Sequence, residues 1–143
     1  MRYCVIIPTY NNDSTLEKVI NGVREFTENI IVVNDGSTDR TAQILSNVIL
    51  VNGSLKVIAY QVNRGKGYAI RQGLDLAIKE GYDYVITIDS DGQHDPADIP
   101  SFIAAVENSP DSLITGDRNL GVKNISRGSR FANKFSNFWF RFL

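Results

Sequence analysis
Short apolar runs alternate with stretches of helical period along this chain, and that alternation leaves few ways to fold it. The runs Tyr3–Ile7, Ile30–Val33, Lys56–Gln61, Tyr84–Ile88 and Ser112–Thr115 read as strands with apolar residues on both faces. Strands of that kind need helices on both sides of their sheet. Leu16, Val19, Ile20, Val23 and Phe26 recur at helical spacing, and so do Ala69, Ile70, Leu74, Ala77 and Ile78 up to a stop at Gly81. Ser14 and Glu17 have the spacing of a capping box for the first helix. A second helix is capped by Ser37 or Asp39 and runs through Leu45. Pro96 opens a fourth helix with Ile99, Phe102, Ile103 and Val106 on its inner face. The segment 48–55 reads as an irregular connection or as an extra edge strand. The predicted class is α/β: a mostly parallel, Rossmann-like sheet flanked by helices, in one domain over residues 1–143.

Charge and composition narrow the partners. A net charge of -1 gives the surface no general attraction for nucleic acid. The one cysteine, Cys4, lies in an apolar run and reads as a buried core residue. No stretch approaches the roughly 20 apolar residues of a membrane span, and the expected location is the cytoplasm or the cytoplasmic face of the membrane. The sixteen acidic residues all lie at or before Asp117, and the chain after it carries only basic charge. Within Arg127–Leu143, Arg127, Arg130, Lys134 and Arg141 accompany Phe131, Phe135, Phe138, Trp139 and Phe142 on a helical period. That segment is expected to meet an anionic membrane surface or another copy of the chain, or to be core covered by chain continuing past Leu143.

Ligands of open α/β sheets bind beyond the carboxyl ends of the strands. Here a polar cluster follows each strand: PTYNN, NDGSTD, NRGKG, DSDGQHD and GDR. In an extended segment Asp89 and Asp91 would point to one side. Two carboxylates so placed repel unless a cation lies between them, and hard oxygen donors select Mg²⁺ or Mn²⁺. The same residues also read as an Asp- and Gly-rich turn with solvated carboxylates. Asp35, at a strand end beside Gly36, reads as an acceptor for a base or ribose, or as a helix cap. The loop from Asn63 to Gly67 reads as a phosphate cradle or an exposed Gly-rich turn, and it lacks the Walker spacing. His94 reads as a polar loop residue and is given no catalytic part.

Taken in order, PTYNN, NDGSTDRT, NRGKGYAIRQG and DSDGQHDP resemble the N-terminal half of family 2 glycosyltransferases with the GT-A fold, over about Tyr3 to Asn133. DSDGQHDP and the region from Asp117 to Asn133 are most similar to the polyprenyl-phosphate (dolichyl-phosphate) sugar transferases. The resemblance implies an inverting transfer from a UDP- or GDP-linked sugar to a lipid phosphate, helped by Mg²⁺ or Mn²⁺. It implies that Pro8, Thr9 and Tyr10 border the nucleoside, that Asp35 binds the base and that Asp39 supports that loop. Lys66 would lie near nucleotide and phosphate, Asp89 at ribose or metal, and Asp91 and Gln93 at the metal. Arg118 and Arg130 would meet the acceptor phosphate. Asn12 departs from the family, which commonly has an acidic residue there. The rival readings are a glycan- or polysaccharide-extending member, a nucleotidyltransferase, and a non-catalytic nucleotide-sugar-binding fragment. A nucleotidyltransferase would want a Gly-rich loop where this chain has PTYNN.

Overall fold
Four parallel strands form one sheet in the order β3-β2-β1-β4, with β1 over Tyr3–Thr9, β2 over Ile30–Asp35, β3 over Lys56–Tyr60 and β4 over Tyr84–Thr87. The computed structural model describes residues 2–52, 55–109 and 112–116. The chain up to Asp111 is one compact unit. Ser112 onward forms a second, and its described residues 112–116 carry no regular element. The fifth strand expected at Ser112–Thr115 is therefore not formed; Leu113 there is 86% exposed, not buried as a central strand requires.

Alternate residues of the central strands face opposite layers, as the pleat demands. Val5, Ile7, Ile30 and Val32 pack with Leu16, Val19, Ile20 and Val23 of α1 (Leu16–Arg24) and with Leu45 and Val48 of α2 (Thr41–Asn52). Cys4, Ile6, Ile31 and Val33 pack on the other side with Ala69 and Ala77 of α3 (Lys66–Lys79). Gly73 lets α3 lie close to β1, since a Cβ there would meet the Ile6 side chain at 2.7 Å. Cys4 is core: burial pushes its thiol up to about 11, against a smaller lowering by Lys56. On the first side Ile99 leads α4 (Ile99–Asn108), entered through a 3₁₀ turn at Pro96–Asp98 that Asp95 caps by accepting from Ala97 N–H.

Two local expectations change. Residues 48–52 are neither connection nor edge strand but the last turns of α2, because Leu45 and Val48 continue its buried face. The capping box does not form. Helix α1 starts at Leu16 behind Thr15, whose hydroxyl donates to the Ser90 carbonyl instead at 2.6 Å.

The strand order reverses once. From β1 the chain steps outward to β2 and β3, then returns through α3 to β4 on the far side of β1. In such sheets the ligand crevice lies at the carboxyl edge beside the reversal, here between the ends of β1 and β4. On the β2–β3 side the gap is closed by Gly36, at φ +72°, where a Cβ would meet Asn63 N at 2.5 Å and Val62 C at 2.6 Å. Gly36→Ala is expected to cost about 2–4 kcal/mol, from the left-handed backbone and the clash together. Urea unfolding checks this, and a loss below about 0.5 kcal/mol would mean that the 62–63 backbone yields at little cost.

Candidate functional site
A cavity of about 330 Å³ opens at the reversal, lined by the ends of β1 and β2 and by the segments that follow β3 and β4. Pro8, Thr9 and Tyr10 form the β1 side, Asp35 the β2 side, Lys66 the start of α3, and Asp89, Ser90 and Asp91 the side after β4. Thr9 and Asp35 are each 2% exposed, Tyr10 is 46% exposed, and Thr9 Oγ1 is buried without a hydrogen-bond partner.

Asp35 is a buried carboxylate held by backbone. Its two oxygens accept the N–H groups of Arg64 at 2.8 Å and Gly65 at 2.7 Å, and its carbonyl accepts from Asn63 Nδ2 at 3.2 Å. Each carboxylate oxygen keeps further lone-pair capacity for a ligand N–H or hydroxyl. The loop NRGKG is thus shaped by Asp35. Arg64 in turn stacks over the Tyr68 ring, with its Cζ 5.0 Å from the centroid.

Lys66, the first residue of α3, reaches across the cavity. Its ammonium lies 2.6 Å from Asp89 Oδ1 and 2.7 Å from Oδ2. Asp91 is reached by a turn and not by extended chain, since β4 ends at Thr87 and Gly92 adopts φ +76°. The expected i, i+2 strand geometry is therefore absent, yet both carboxylates line the same cavity. Asp91 Oδ1 accepts the Gln93 N–H at 2.9 Å, and His94 Nδ1 accepts the Asp89 N–H at 3.1 Å, so His94 shapes this turn.

The loops are laced to one another. Asn11, itself at φ +53°, accepts from Thr38 N–H at 2.8 Å, and its own N–H donates to Ser37 Oγ at 3.0 Å. Asn12 Nδ2 donates to Ser90 Oγ at 2.8 Å, joining the β1 and β4 loops. Ser90, 2% exposed, had no role in the sequence reading. Only its position between two aspartates could have drawn attention to it. Asp39 does not line the cavity; it accepts the N–H groups of Thr41 at 2.9 Å and Asp13 at 3.0 Å. Gln93 likewise does not line it. Arg118, Arg130 and the segment 127–143 lie outside the described residues.

Burial pushes the Asp39 carboxyl up, but hydrogen bonds from Thr41 and Asp13 outweigh it and hold the pKa below the ordinary carboxylate value. A lowered native pKa gives stability that is present above the unfolded pKa and lost as pH falls through the native one. Asp39→Ala is expected to cost about 1 kcal/mol at neutral pH, the usual worth of a helix-start acceptor. The gap between variant and parent should shrink as pH drops below the ordinary aspartate value. Urea titrations at pH 7 and near pH 3 check this, and a gap that is constant or widens in acid would overturn it.

A sequence profile described as glycosyl transferase family 2 matches residues 4–141. The chain is 35% identical over 133 residues to the UDP-N-acetylglucosamine–dolichyl-phosphate N-acetylglucosaminyltransferase of Methanococcus voltae, covering 84% of this chain and 52% of that one. Its fold is similar to Staphylococcus aureus TarS 1–349 in complex with UDP, with TM-score 0.64 and 25% identity over 87% of this chain and 38% of that one. It is also similar to the mannosyltransferase PcManGT from Pyrobaculum calidifontis in complex with GDP-Man and Mn²⁺, with TM-score 0.56 and 26% identity over 63% of this chain and 27% of that one. The chain spans about half the length of the curated relatives it matches.

Proposed function
The chain belongs to glycosyl transferase family 2 and has the GT-A fold, and we propose that it is the nucleotide-sugar-binding part of an inverting transferase whose acceptor is a polyprenyl phosphate. The observation that carries this is the cavity at the strand-order reversal, which gathers Thr9 and Asp35 from the ends of β1 and β2, Lys66 from the start of α3, and Asp89 and Asp91 from the loop after β4. The similarity to a dolichyl-phosphate transferase supports the acceptor class. UDP and GDP-Man in the two similar structures support a nucleoside diphosphate donor.

Each residue then has a chemical part. Thr9 and Tyr10 border the nucleoside, and Asp35 accepts from base or ribose while holding the NRGKG loop. Asp89 and Asp91 would hold Mg²⁺ or Mn²⁺. They fit in kind, being hard oxygen donors on one cavity. Among the described residues no three His, Cys, Asp or Glu side chains gather as a complete protein shell. The remaining positions would then go to the donor's phosphate oxygens and to water, as is usual for Mg²⁺. Such an ion supplies charge neutralisation of the diphosphate leaving group. In the transfer the bond from the anomeric carbon to the diphosphate oxygen breaks as a bond to the acceptor oxygen forms. A phosphate acceptor oxygen is already anionic near neutral pH, so no general base is required. Arg118 and Arg130 are assigned to that phosphate on the family resemblance, as forked donors. The basic, aromatic segment 127–143 is assigned to a membrane surface or a second copy of the chain. Flotation with anionic vesicles and sedimentation test this, and a monomer that ignores the vesicles would refute it.

Asp91→Asn keeps the acceptor for Gln93 N–H but halves the carboxylate pair. It is expected to remove most of the Mn²⁺-linked affinity for UDP or GDP, about tenfold or more, with little change in melting temperature. Asp35→Ala is expected to weaken nucleoside binding with and without Mn²⁺. Calorimetry checks both; affinity in Mn²⁺ equal to the parent's for Asp91→Asn would sink the metal assignment.

A further inference from the structure
Lys66 occupies a position that a phosphate-binding lysine alone does not require. Its ammonium straddles both oxygens of Asp89, at 2.6 and 2.7 Å, on the wall of the cavity that also holds Asp91. The pull comes from Asp89 and not from its own helix. Lys66 opens α3, no acidic residue lies in that first turn, and a helix N-terminus repels a cation. The Lys66 side chain is a long flexible stem that is 59% exposed, while the Asp89 side chain is 23% exposed. With its ammonium largely in water the pair can exchange at modest cost, although Asp89 itself is partly shielded. Asp91 carries a different partner, the Gln93 N–H, so the lysine charge rests on one carboxylate of the two.

An ammonium on both oxygens of Asp89 and a divalent ion on the same carboxylate exclude each other, because two cations a few ångströms apart in a partly shielded site repel strongly. Resting on the nucleotide-sugar reading above, we infer that Lys66 is an exchangeable countercation: it neutralises Asp89 before the donor binds, and passes to the donor's diphosphate when a divalent ion takes its place on Asp89. The exchange makes the two ligands help each other. The ion frees the lysine for the diphosphate, and the diphosphate draws the lysine off the metal site. Such coupling is reciprocal. Metal alone then binds weakly, because it must displace Lys66 with no anion present to receive the ammonium.

The test is calorimetric titration of the 143-residue chain with Mn²⁺ alone, and with UDP or GDP at saturating Mn²⁺, for the parent, Lys66→Met and Lys66→Arg. For Lys66→Met the two ligands are expected to move in opposite directions. Mn²⁺ alone should bind about fivefold more tightly, as the competing ion pair is gone. The nucleoside diphosphate should bind about tenfold more weakly, as a charge-assisted contact is lost. Lys66→Arg should return both toward the parent, and circular dichroism melts should agree among the three. If the parent binds nucleoside diphosphate with Mn²⁺ but Lys66→Met leaves the affinity for Mn²⁺ alone unchanged or weaker, the exchange is refuted and the lysine is a phosphate contact only. If the parent binds no nucleoside diphosphate, the reading of the site falls and takes the exchange with it.

Discussion
A parallel sheet that reverses its strand order places its ligand crevice beside the reversal, and the candidate site of this chain is built around that crevice. The β1 and β4 strands lie side by side, although β1 leads outward to β2 and β4 is reached only by the return from β3 through α3. Backbone pairing cannot close the resulting crevice, so side chains do. Asn12 and Thr15 cross it to Ser90, and Lys66 crosses it to Asp89. On the other flank Asn11 and Asp39 tie the β1 loop to the β2 loop, and Asp35 ties β2 to the loop before α3. The four loops form a closed ring of contacts about the cavity. Each bond is worth about 1 kcal/mol or less net, so the ring positions the cavity walls more than it stabilises the fold. Stability comes from the two apolar layers beneath.

Much of this was legible in the sequence because it depends on period and order. Apolar runs with no in–out alternation gave the parallel sheet, and the polar clusters after them gave its ligand edge. The misses have particular physical reasons. Residues 48–52 look strand-like because Val48, Ile49, Leu50 and Val51 are mostly β-branched, but burial of Leu45 and Val48 on one helical face overrides that propensity. The Ser14–Glu17 capping box fails because the helix starts at Leu16, which puts Thr15 and not Ser14 at the cap position, and Thr15 gives its hydroxyl to Ser90, 75 residues away. Ser112–Thr115 has strand composition, but Leu113 and its neighbours form no ladder, and propensity in a strand reports packing that composition alone does not guarantee.

The lining of the cavity was legible in part, since Asp39 and Gln93 do not line it, and its arrangement less so. Asp35, Lys66, Asp89 and Asp91 stand where strand ends must place them, and the cavity gathers all four. What periodicity could not give was how each carboxylate is compensated. Nor could it give the role of Ser90, which stands between two aspartates as if a spacer but is the buried residue that both Asn12 and Thr15 grip.

Compensation separates the cavity into two kinds of wall. Asp35 is buried and answered by backbone dipoles, the N–H groups of Arg64 and Gly65, which leave only if the loop itself unfolds. Its charge is therefore fixed in place and direction, the property needed to read a base or ribose by hydrogen bonds. Asp89 is partly open and answered by a whole charge on a flexible stem, which can leave without disturbing any backbone. Asp91 is exposed and answered by one N–H within its own turn. A rigid wall suits the part of a nucleotide that is identical before and after transfer. An adjustable wall suits the diphosphate, whose arrival can recruit the countercharge that must already be in place when charge builds as the sugar departs.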